Sequence, residues 1–490
     1  MQFLSPSLLS LALLLGTTQP YSPSLVTKPG DGSLVGTLAT IFQSAHDGTL
    51  ASIRRSDRES RDTNNKLRRL SAAEHLRRAN VYMSNRAFDE ARAHWQALID
   101  YYPQEAKVPE ALLGIGRSYY QSRRYSEAFT TFEQLARNYD LTKEGREGLN
   151  FSAAALLRMG RPSEAVQRYI DYINKFPTGE RIDTAHLNVI DGLREAGRPQ
   201  DAIMWVGRTR QRFAGTATDT NALFARLRLD VAEGDWRQAV STANELATQP
   251  IQKGVLTTPA EVTYLKAYSL ERLGNRRDAV SAYLAIPDSA NSYYGWLAGE
   301  RLERLAEGET RNQLSARSER ARKQIADAAA DYPAPYRQAI LKTARRQKLD
   351  PRFILAIIRQ ESVFRHTAKS PAGARGLLQL TIDAARKYAA AAGFNSVSES
   401  ELYRPEVSIR LGGEYLGELS RLFPNMLEAA AASYNGGEDN VARWVRRTKH
   451  KDPGAFTAEI GFEETKGYVQ KVMANYRAYQ QLYTADLVPR

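Results

Sequence analysis

The stretch Gly160-Arg161-Pro162-Ser163-Glu164-Ala165 decides the fold of most of the chain, because its last three residues return in related form. The equivalents of Ser163-Glu164-Ala165 are Asp89-Glu90-Ala91, Ser126-Glu127-Ala128, Gln200-Asp201-Ala202, Arg237-Gln238-Ala239 and Arg277-Asp278-Ala279. Their alanines follow one another at intervals of 37, 37, 37, 37 and 40 residues. The glycines that recur with the same step are Gly160, Gly197, Gly234 and Gly274. A period kept across six copies indicates an internal repeat.

Each repeat has the pattern of a helix, a Gly-containing turn and a second helix. In the third repeat the first helix is expected to run to Met159, and the turn covers 160–162. Ser163 is predicted to cap the second helix, because serine follows the helix-breaking proline. The small alanine near the start of each second helix allows the two helices to approach closely. One repeat cannot bury its apolar face alone, so stacking is predicted.

This pattern resembles tetratricopeptide repeats, whose repeat length is about 34 residues. The resemblance implies an all-α structure with an N-terminal α-solenoid over 72–305 and a concave surface. The longer period implies longer loops between the helices. The polar, charged residues 306–331 are predicted to form a connector with helical bias, and a second domain is predicted over 332–490.

The N-terminus carries an apolar run from Leu8 to Leu15, which is too short for a transmembrane helix. Its length suits a signal peptide, although no Lys or Arg precedes Lys28. We predict a leader over 1–30 that directs export, and any membrane association is expected through this segment alone. The alternative is a disordered leader. Residues 31–71 are predicted to be a basic lead, loose up to about Lys66.

Composition excludes several classes of chemistry. The chain has 490 residues, no cysteine and six histidines. Disulfides, thiolate metal sites and a cysteine nucleophile are therefore excluded. No two histidines have the i, i+4 spacing of a helical zinc pair, and neither a metal nor another cofactor is predicted. The net charge of +13 favours a polyanionic partner such as nucleic acid, an anionic membrane or the bacterial cell wall. The alternative is a solvated surface with an arginine excess.

A candidate general acid lies near the end of a predicted helix. Asp350-Pro351 combines an N-cap with proline at the first helical position. Ile354, Ile357 and Ile358 form an apolar stripe, and Glu361 continues it. Desolvation of a carboxyl raises its pKa, and a protonated carboxyl is what glycosidic cleavage needs. The competing interpretation is a glutamate that turns to solvent at the helix end.

Three polar motifs follow in the sequence. They are the loop that holds Ser370 and leads to Leu377-Leu378-Gln379-Leu380, the turn Ser433-Tyr434-Asn435-Gly436-Gly437, and Glu464-Thr465-Lys466-Gly467-Tyr468. A single Gln379 within an apolar run needs hydrogen-bond partners, which a polar ligand can supply. The phenol of Tyr434 is expected to be free to point into a cleft.

Together these motifs resemble the catalytic domain of the soluble lytic transglycosylases, which have a goose-type lysozyme-like α fold. The resemblance also extends to the helical repeats that precede this domain in the long members. It implies cleavage of the β-1,4 bond between N-acetylmuramic acid and N-acetylglucosamine in peptidoglycan, with a 1,6-anhydro product. It assigns both proton transfers to Glu361. The implied substrate-binding residues are Ser370, Gln379, Tyr434, Asn435, Glu464 and Tyr468.

The implied partner is the peptidoglycan glycan strand, and the implied location is the periplasm or another site outside the cytoplasmic membrane. The repeats are expected to position glycan or to bind other cell-wall enzymes. Leu378, the pair Thr381-Ile382 and Arg365 depart from residues that are frequent in the family, and these departures are expected to affect the shape of the subsites more than the acid.

Other functions stay open at this point. A muramidase on the same fold would hydrolyse the bond with a second carboxylate such as Asp383, Glu414, Asp439 or Glu463. A non-catalytic repeat scaffold would be expected to have lost the glutamate. Nucleic-acid binding lacks any recognisable motif, and we do not predict it.

Overall fold

The structure is a computed structural model that describes residues 49–63, 66–370 and 373–490. The predicted leader over 1–30, including the apolar run from Leu8 to Leu15, lies outside the described residues. None of the described helices is long and apolar enough to cross a membrane.

The chain divides into two compact units. We call the one that ends at Gly192 the N-terminal unit and the one from Leu193 to Arg490 the C-terminal unit. The division falls inside a repeat helix, Ile182–Glu195. The later repeats therefore belong to the same compact unit as the helices that follow them.

The repeats form six helix pairs in chain order. The pairs are α1 (Ala72–Ser84) and α2 (Phe88–Tyr101); α3 (Val108–Gln121) and α4 (Tyr125–Asn138); α5 (Lys143–Arg158) and α6 (Pro162–Lys175); α7 (Ile182–Glu195) and α8 (Pro199–Arg212); α9 (Ala217–Glu233) and α10 (Trp236–Ala247); and α11 (Pro259–Arg272) and α12 (Arg276–Leu284). The six periodic alanines are each the fourth residue of the second helix of a pair, and all are 0% exposed. The predicted repeat is confirmed, and the reason is the predicted close helix approach at a small side chain.

The turn within each repeat contains a residue in the left-handed conformation, but the type of that residue differs along the chain. Gly160 has a φ of 72°, and the later periodic glycines have similar values. Arg86 and Arg123 occupy the same place in the first two repeats, with φ of 59° and 60°. The sequence pattern missed them because arginine is an unusual residue for this conformation.

The predicted cap at Ser163 is wrong. Helix α6 begins one residue earlier, at Pro162, and Arg161 is its N-cap residue. Proline favours the first helical position because its ring fixes φ and the missing N–H has no helical partner there.

The basic lead is not loose throughout. Residues 49–59 are helical, and Asp57 within them is buried against the first repeat. Its carboxylate accepts hydrogen bonds from the Tyr82 hydroxyl at 2.6 Å and from His94 Nε2 at 2.9 Å, and it pairs with Arg78. A buried charge with three partners holds this helix to α1 and α2.

Ten further helices complete the C-terminal unit. They are α13 (Tyr293–Leu305), α14 (Gly308–Asp327), α15 (Arg337–Gln347), α16 (Pro351–Ser362), α17 (Ile382–Ala389), α18 (Pro405–Leu422), α19 (Leu427–Gly436), α20 (Glu438–Thr448), α21 (Pro453–Glu459) and α22 (Glu463–Leu482). Helix α16 packs on α22, and α19 contacts α18, α20 and α22. Among the described residues, β-pairing is limited to isolated bridges. The predicted all-α class is confirmed.

Late repeat helices pack directly on the C-terminal helices within this unit. Helix α9 contacts α20 and α21, helix α11 contacts α21, and α13 and α14 contact α22. Buried charges are paired along this contact. Glu459 of α21 forms ion pairs with Arg194, Arg228 and Arg447. The predicted connector 306–331 is largely the helix α14, as its composition suggested.

Candidate active site

Helix α16 carries Glu361 one residue before its end. The Asp350 side chain accepts a hydrogen bond from the Arg352 N–H at 2.9 Å, and Pro351 is the first helical residue. The side chains over 353–358 are 0% exposed. The predicted cap and apolar stripe are confirmed, and the helix lies in the core.

The chain turns sharply after Glu361. Val363 and Phe364 are both left-handed, with φ of 48° and 61°, so the helix cannot continue. The Ser362 hydroxyl donates to the Leu377 carbonyl at 2.9 Å. This bond joins the end of α16 to the loop that leads to Gln379.

The Glu361 carboxyl is half-buried and has a tyrosine as its hydrogen-bond partner. The Tyr468 hydroxyl donates to Glu361 Oε1 at 2.7 Å. Burial raises the pKa of Glu361 to about 7, while the bond from Tyr468 opposes the rise by stabilising the carboxylate. No charged group of the described residues contributes to this pKa. The carboxyl is therefore present in both protonation states near neutral pH, as a general acid and base requires.

Tyr434 is close to this carboxyl, but its hydroxyl is not free. It lies within α19, and its hydroxyl donates to the Leu378 carbonyl at 2.6 Å. The expectation of a free phenol is therefore wrong, because a buried hydroxyl needs a partner and the adjacent loop supplies one. Burial raises the pKa of Tyr434 above its usual range, and the nearby Glu361 carboxylate adds to this rise.

The loop that follows α16 is closed by its own hydrogen bonds. Gln379 has a φ of 45°, and its Nε2 donates to the carbonyls of Ala368 at 3.1 Å and Gly376 at 2.9 Å. The Ser370 hydroxyl accepts from the Ala374 N–H at 3.1 Å. Backbone groups thus satisfy part of the hydrogen bonding that we expected a ligand to supply to Gln379.

Gly376 is required by this loop geometry. Its φ is 79°, and a Cβ atom there would lie 2.0 Å from the Leu402 carbonyl oxygen. No side chain fits at that distance, because the backbone at Gly376 passes very close to the turn that contains Leu402.

Asn435 and Glu464 occupy different surroundings. Asn435 is 2% exposed, and its Oδ1 accepts from the Thr465 hydroxyl at 2.7 Å. This bond joins α19 to the first turn of α22. Glu464 is half-buried, and burial raises its pKa to about 7.

The structure brings Glu361, Tyr468 and Tyr434 together. No role was predicted from the sequence for Ser362, Thr465 or Lys466, although Ser362 directly follows Glu361 and the other two lie within the third motif. All three side chains are buried and hydrogen-bonded. The sequence offered one signal for these residues: each is a polar residue at a position that helical periodicity assigns to the core, where it needs a hydrogen-bond partner. Among 49–63, 66–370 and 373–490, no cluster of three or more acidic or histidine side chains is arranged to hold a metal ion.

Comparison with known proteins agrees with this architecture. Residues 338–456 match the family model of the transglycosylase SLT domain, and residues 75–105 and 110–142 match a tetratricopeptide repeat. The soluble lytic murein transglycosylase of Escherichia coli K12 is 32% identical over 159 residues, which are 32% of this chain and 24% of that protein. The membrane-bound lytic murein transglycosylase F of Vibrio cholerae is 35% identical over 117 residues, 22% of this chain and 20% of that protein.

The matched region thus spans about a quarter of the length of the first relatives. A lytic transglycosylase Slt of Pseudomonas aeruginosa, solved as an inactive mutant, aligns with a TM-score of 0.50 and 19% identity, over 84% of this chain and 82% of that one. This similarity concerns the fold. The chain contains a transglycosylase SLT domain and tetratricopeptide repeats, and the SLT match ends before α22, which carries Tyr468.

Proposed function

We propose that this chain is a peptidoglycan lytic transglycosylase that uses Glu361 as acid and then as base. The observation that carries the proposal is a carboxyl with a pKa of about 7 that is bonded to Tyr468 and influenced by no other charged group of the described residues. The SLT match over 338–456 and the names of the relatives support the same substrate class.

In the first step Glu361 donates its proton to the glycosidic oxygen. The bond between C1 of N-acetylmuramic acid and that oxygen breaks, and N-acetylglucosamine leaves with a free hydroxyl. Positive charge develops at C1 and the ring oxygen. The new carboxylate of Glu361 stabilises this charge. The hydrogen bond from Tyr468 favours this carboxylate and so assists proton donation.

In the second step the C6 hydroxyl of the same muramic acid attacks C1. The C1–O6 bond forms, and the hydroxyl proton passes to the Glu361 carboxylate. The product is a 1,6-anhydro sugar, and Glu361 is protonated again for the next cycle. No water is consumed, and no second carboxylate is needed.

The remaining predicted residues would act by holding the sugars. Ser370 and Gln379 of the loop after α16 and Tyr434 of α19 are proposed to orient N-acetyl groups. Glu464 is proposed to line a subsite. Asn435 is proposed to act mainly by holding α22, because its amide oxygen is bonded to Thr465.

Product analysis tests the proposal. Purified sacculi are digested with the full chain, and the released muropeptides are weighed. We expect products lighter by one water than those of a muramidase, with no reducing muramic acid end. Reducing ends would instead identify a hydrolase, and no release would remove glycan cleavage from this chain.

We further propose that the protein acts outside the cytoplasmic membrane, because its substrate lies there. The repeats are proposed to position glycan or to bind other cell-wall enzymes. Cell fractionation checks the location. An intact N-terminus in a cytosolic fraction would contradict export.

A further inference from the structure

A buried lysine connects the helix of Tyr468 to a repeat helix. Lys466 is 8% exposed, and its Nζ donates to Glu261 Oε1 at 3.1 Å and to the Leu256 carbonyl at 3.2 Å. Glu261 is 0% exposed and lies in the first turn of α11, in the sixth repeat. A repeat therefore contacts the motif that supplies the partner of the acid.

Both carboxylate oxygens of Glu261 also accept hydrogen bonds from hydroxyl groups. Its Oε1 also accepts from the Tyr294 hydroxyl at 2.8 Å, and its Oε2 accepts from the Thr257 hydroxyl at 2.7 Å. Lys466 Nζ lies 4.9 Å from the centre of the Phe224 ring. Because buried charges are costly without partners, this set of bonds fixes the lysine in one position.

The segment 463–468 at the start of α22 is held at three points. Residues 466 and 468 are about 200° apart around a helix, so Lys466 and Tyr468 lie on nearly opposite sides. Lys466 faces α11, Thr465 is bonded to Asn435 of α19, and Tyr468 reaches Glu361 of α16. A shift of this segment would move the Tyr468 hydroxyl relative to the acid.

We propose that Glu261 is a positioning residue for the reaction: through Lys466 it fixes the first turn of α22 and thereby keeps the Tyr468 hydroxyl on Glu361. This inference rests on the proposed function. It means that a repeat helix supplies part of the geometry of the active site.

The chemical consequence follows from the bond that Tyr468 makes. When that bond loosens, the carboxylate of Glu361 loses its only described donor, and its pKa rises. Tyr468 and Tyr434 are the titratable groups that face Glu361. The charged groups that face Lys466 are Glu261, Arg228 and Glu459. Neither Glu261 nor Lys466 contacts the acid, so the effect is expected in kcat rather than in KM.

The test uses the full chain and four variants: Lys466→Met, Glu261→Gln, the double variant and Lys466→Arg. Misplacing a catalytic group by about 1 Å can cost roughly 100-fold. We expect each single neutralising variant to lower kcat by roughly 10- to 100-fold, with KM little changed. The alkaline limb of the pH profile should move to higher pH. Lys466→Arg should recover most of the rate.

The double variant separates positioning from stability. Removing both charges leaves no buried unpaired ion, so the melting temperature should recover while kcat stays low. Asp230→Asn is the matched control, because Asp230 is a buried, paired carboxylate of α9 that is bonded to Arg226 and Thr242. It should lower the melting temperature without moving the pH profile.

Either of two kinetic results would overturn the inference: a kcat within twofold of wild type in both Lys466→Met and Glu261→Gln, or a kcat that recovers with stability in the double variant. A titration of labelled Glu361 by NMR gives a readout that does not need turnover. An unchanged Glu361 pKa in Lys466→Met would also overturn the inference. Failure of the proposed function looks different, since wild type would then release reducing ends or nothing.

Discussion

Glu361 is the residue on which the proposed chemistry depends. We predict that Glu361→Gln lowers the release of anhydro-muropeptides by roughly 10²–10⁴-fold or more, because one group serves both proton transfers. Glutamine keeps the shape but cannot deliver the proton. Release from sacculi measures the loss. Glu463→Gln is the control, because Glu463 is an exposed carboxylate at the start of α22. Wild-type release by Glu361→Gln would remove this residue from the mechanism.

Tyr468 tunes the acid. Its hydroxyl stabilises the Glu361 carboxylate, so Tyr468→Phe should raise the pKa of Glu361 above about 7. Proton donation requires the protonated form, so activity falls as pH rises through this pKa. The alkaline limb should therefore move to higher pH, and the maximal rate should fall. The pH dependence of kcat/KM checks this.

The matched control for Tyr468→Phe is Tyr479→Phe. Tyr479 is a buried tyrosine of the same helix, and its hydroxyl donates to the Pro333 carbonyl at 3.0 Å, away from the acid. Equal shifts of the two pH profiles would contradict the role of Tyr468.

At the scale of the element, the turns within the repeats depend on a left-handed residue. Gly160 has a φ of 72°, and a Cβ atom there would meet nothing within 4 Å. We predict that Gly160→Ala lowers the free energy of unfolding by about 1 kcal/mol, because only the backbone conformation is penalised. Denaturant unfolding measures the change.

Gly207 provides the matched control. It lies within helix α8, also has open space around its Cβ position, and does not have a positive φ. Gly207→Ala should raise the free energy of unfolding by about 0.5–1 kcal/mol, because alanine is the better helix former. Changes of the same sign at both positions would refute the argument.

At the scale of the whole molecule, the C-terminal unit should lose stability as pH rises. Burial raises the pKa of Glu428 to about 7, and its carboxyl accepts from the Tyr293 hydroxyl at 3.3 Å. Its pKa in the unfolded chain is near 4.5. The contribution of Glu428 to the free energy of unfolding is therefore fully present below about pH 4.5 and is lost as pH rises through about 7. Glu361 and Glu464 act in the same direction.

Glu428→Gln tests this dependence, because glutamine keeps an acceptor for Tyr293 and does not titrate. Hydrogen exchange in α19 should show slower opening in the variant than in wild type at pH 8, and similar opening at pH 4. An unchanged pH dependence would exclude Glu428 as a cause.

The N-terminal unit should respond to pH in the opposite direction. Burial lowers the pKa of His75 from 6.5 to about 4, and its Nδ1 lies 3.0 Å from His94 Nδ1. His75 is buried in its neutral form. Its contribution to the free energy of unfolding is therefore present above about pH 6.5 and is lost as pH falls through about 4. Asp57 also loses its contribution in acid, below its unfolded value of 3.8. The protection factors of the amides in α1 and α2, which are exchange rates corrected for the intrinsic pH dependence, should fall between pH 7 and pH 4. Protection factors that stay constant or rise in acid would contradict this.

The sequence by itself determined the features that depend on local spacing. The 37-residue period located the six buried alanines, and Asp350-Pro351 located the start of α16. Helical periodicity made Glu361 a candidate acid by putting it on the buried stripe, and the resemblance of the motifs around it carried the prediction. These features depend on residues within a few turns of one another, so capping and periodicity suffice to predict them.

Only the tertiary structure decided which groups meet. Tyr468 is 107 residues from Glu361, and Lys466 is 205 residues from Glu261, yet both pairs are hydrogen-bonded. The same holds for Tyr434, whose hydroxyl is bonded to the Leu378 carbonyl instead of being free. A hydrogen bond needs its two atoms within about 3 Å in a fixed direction. Such a placement follows from how whole helices pack, and no local pattern in the sequence specifies it.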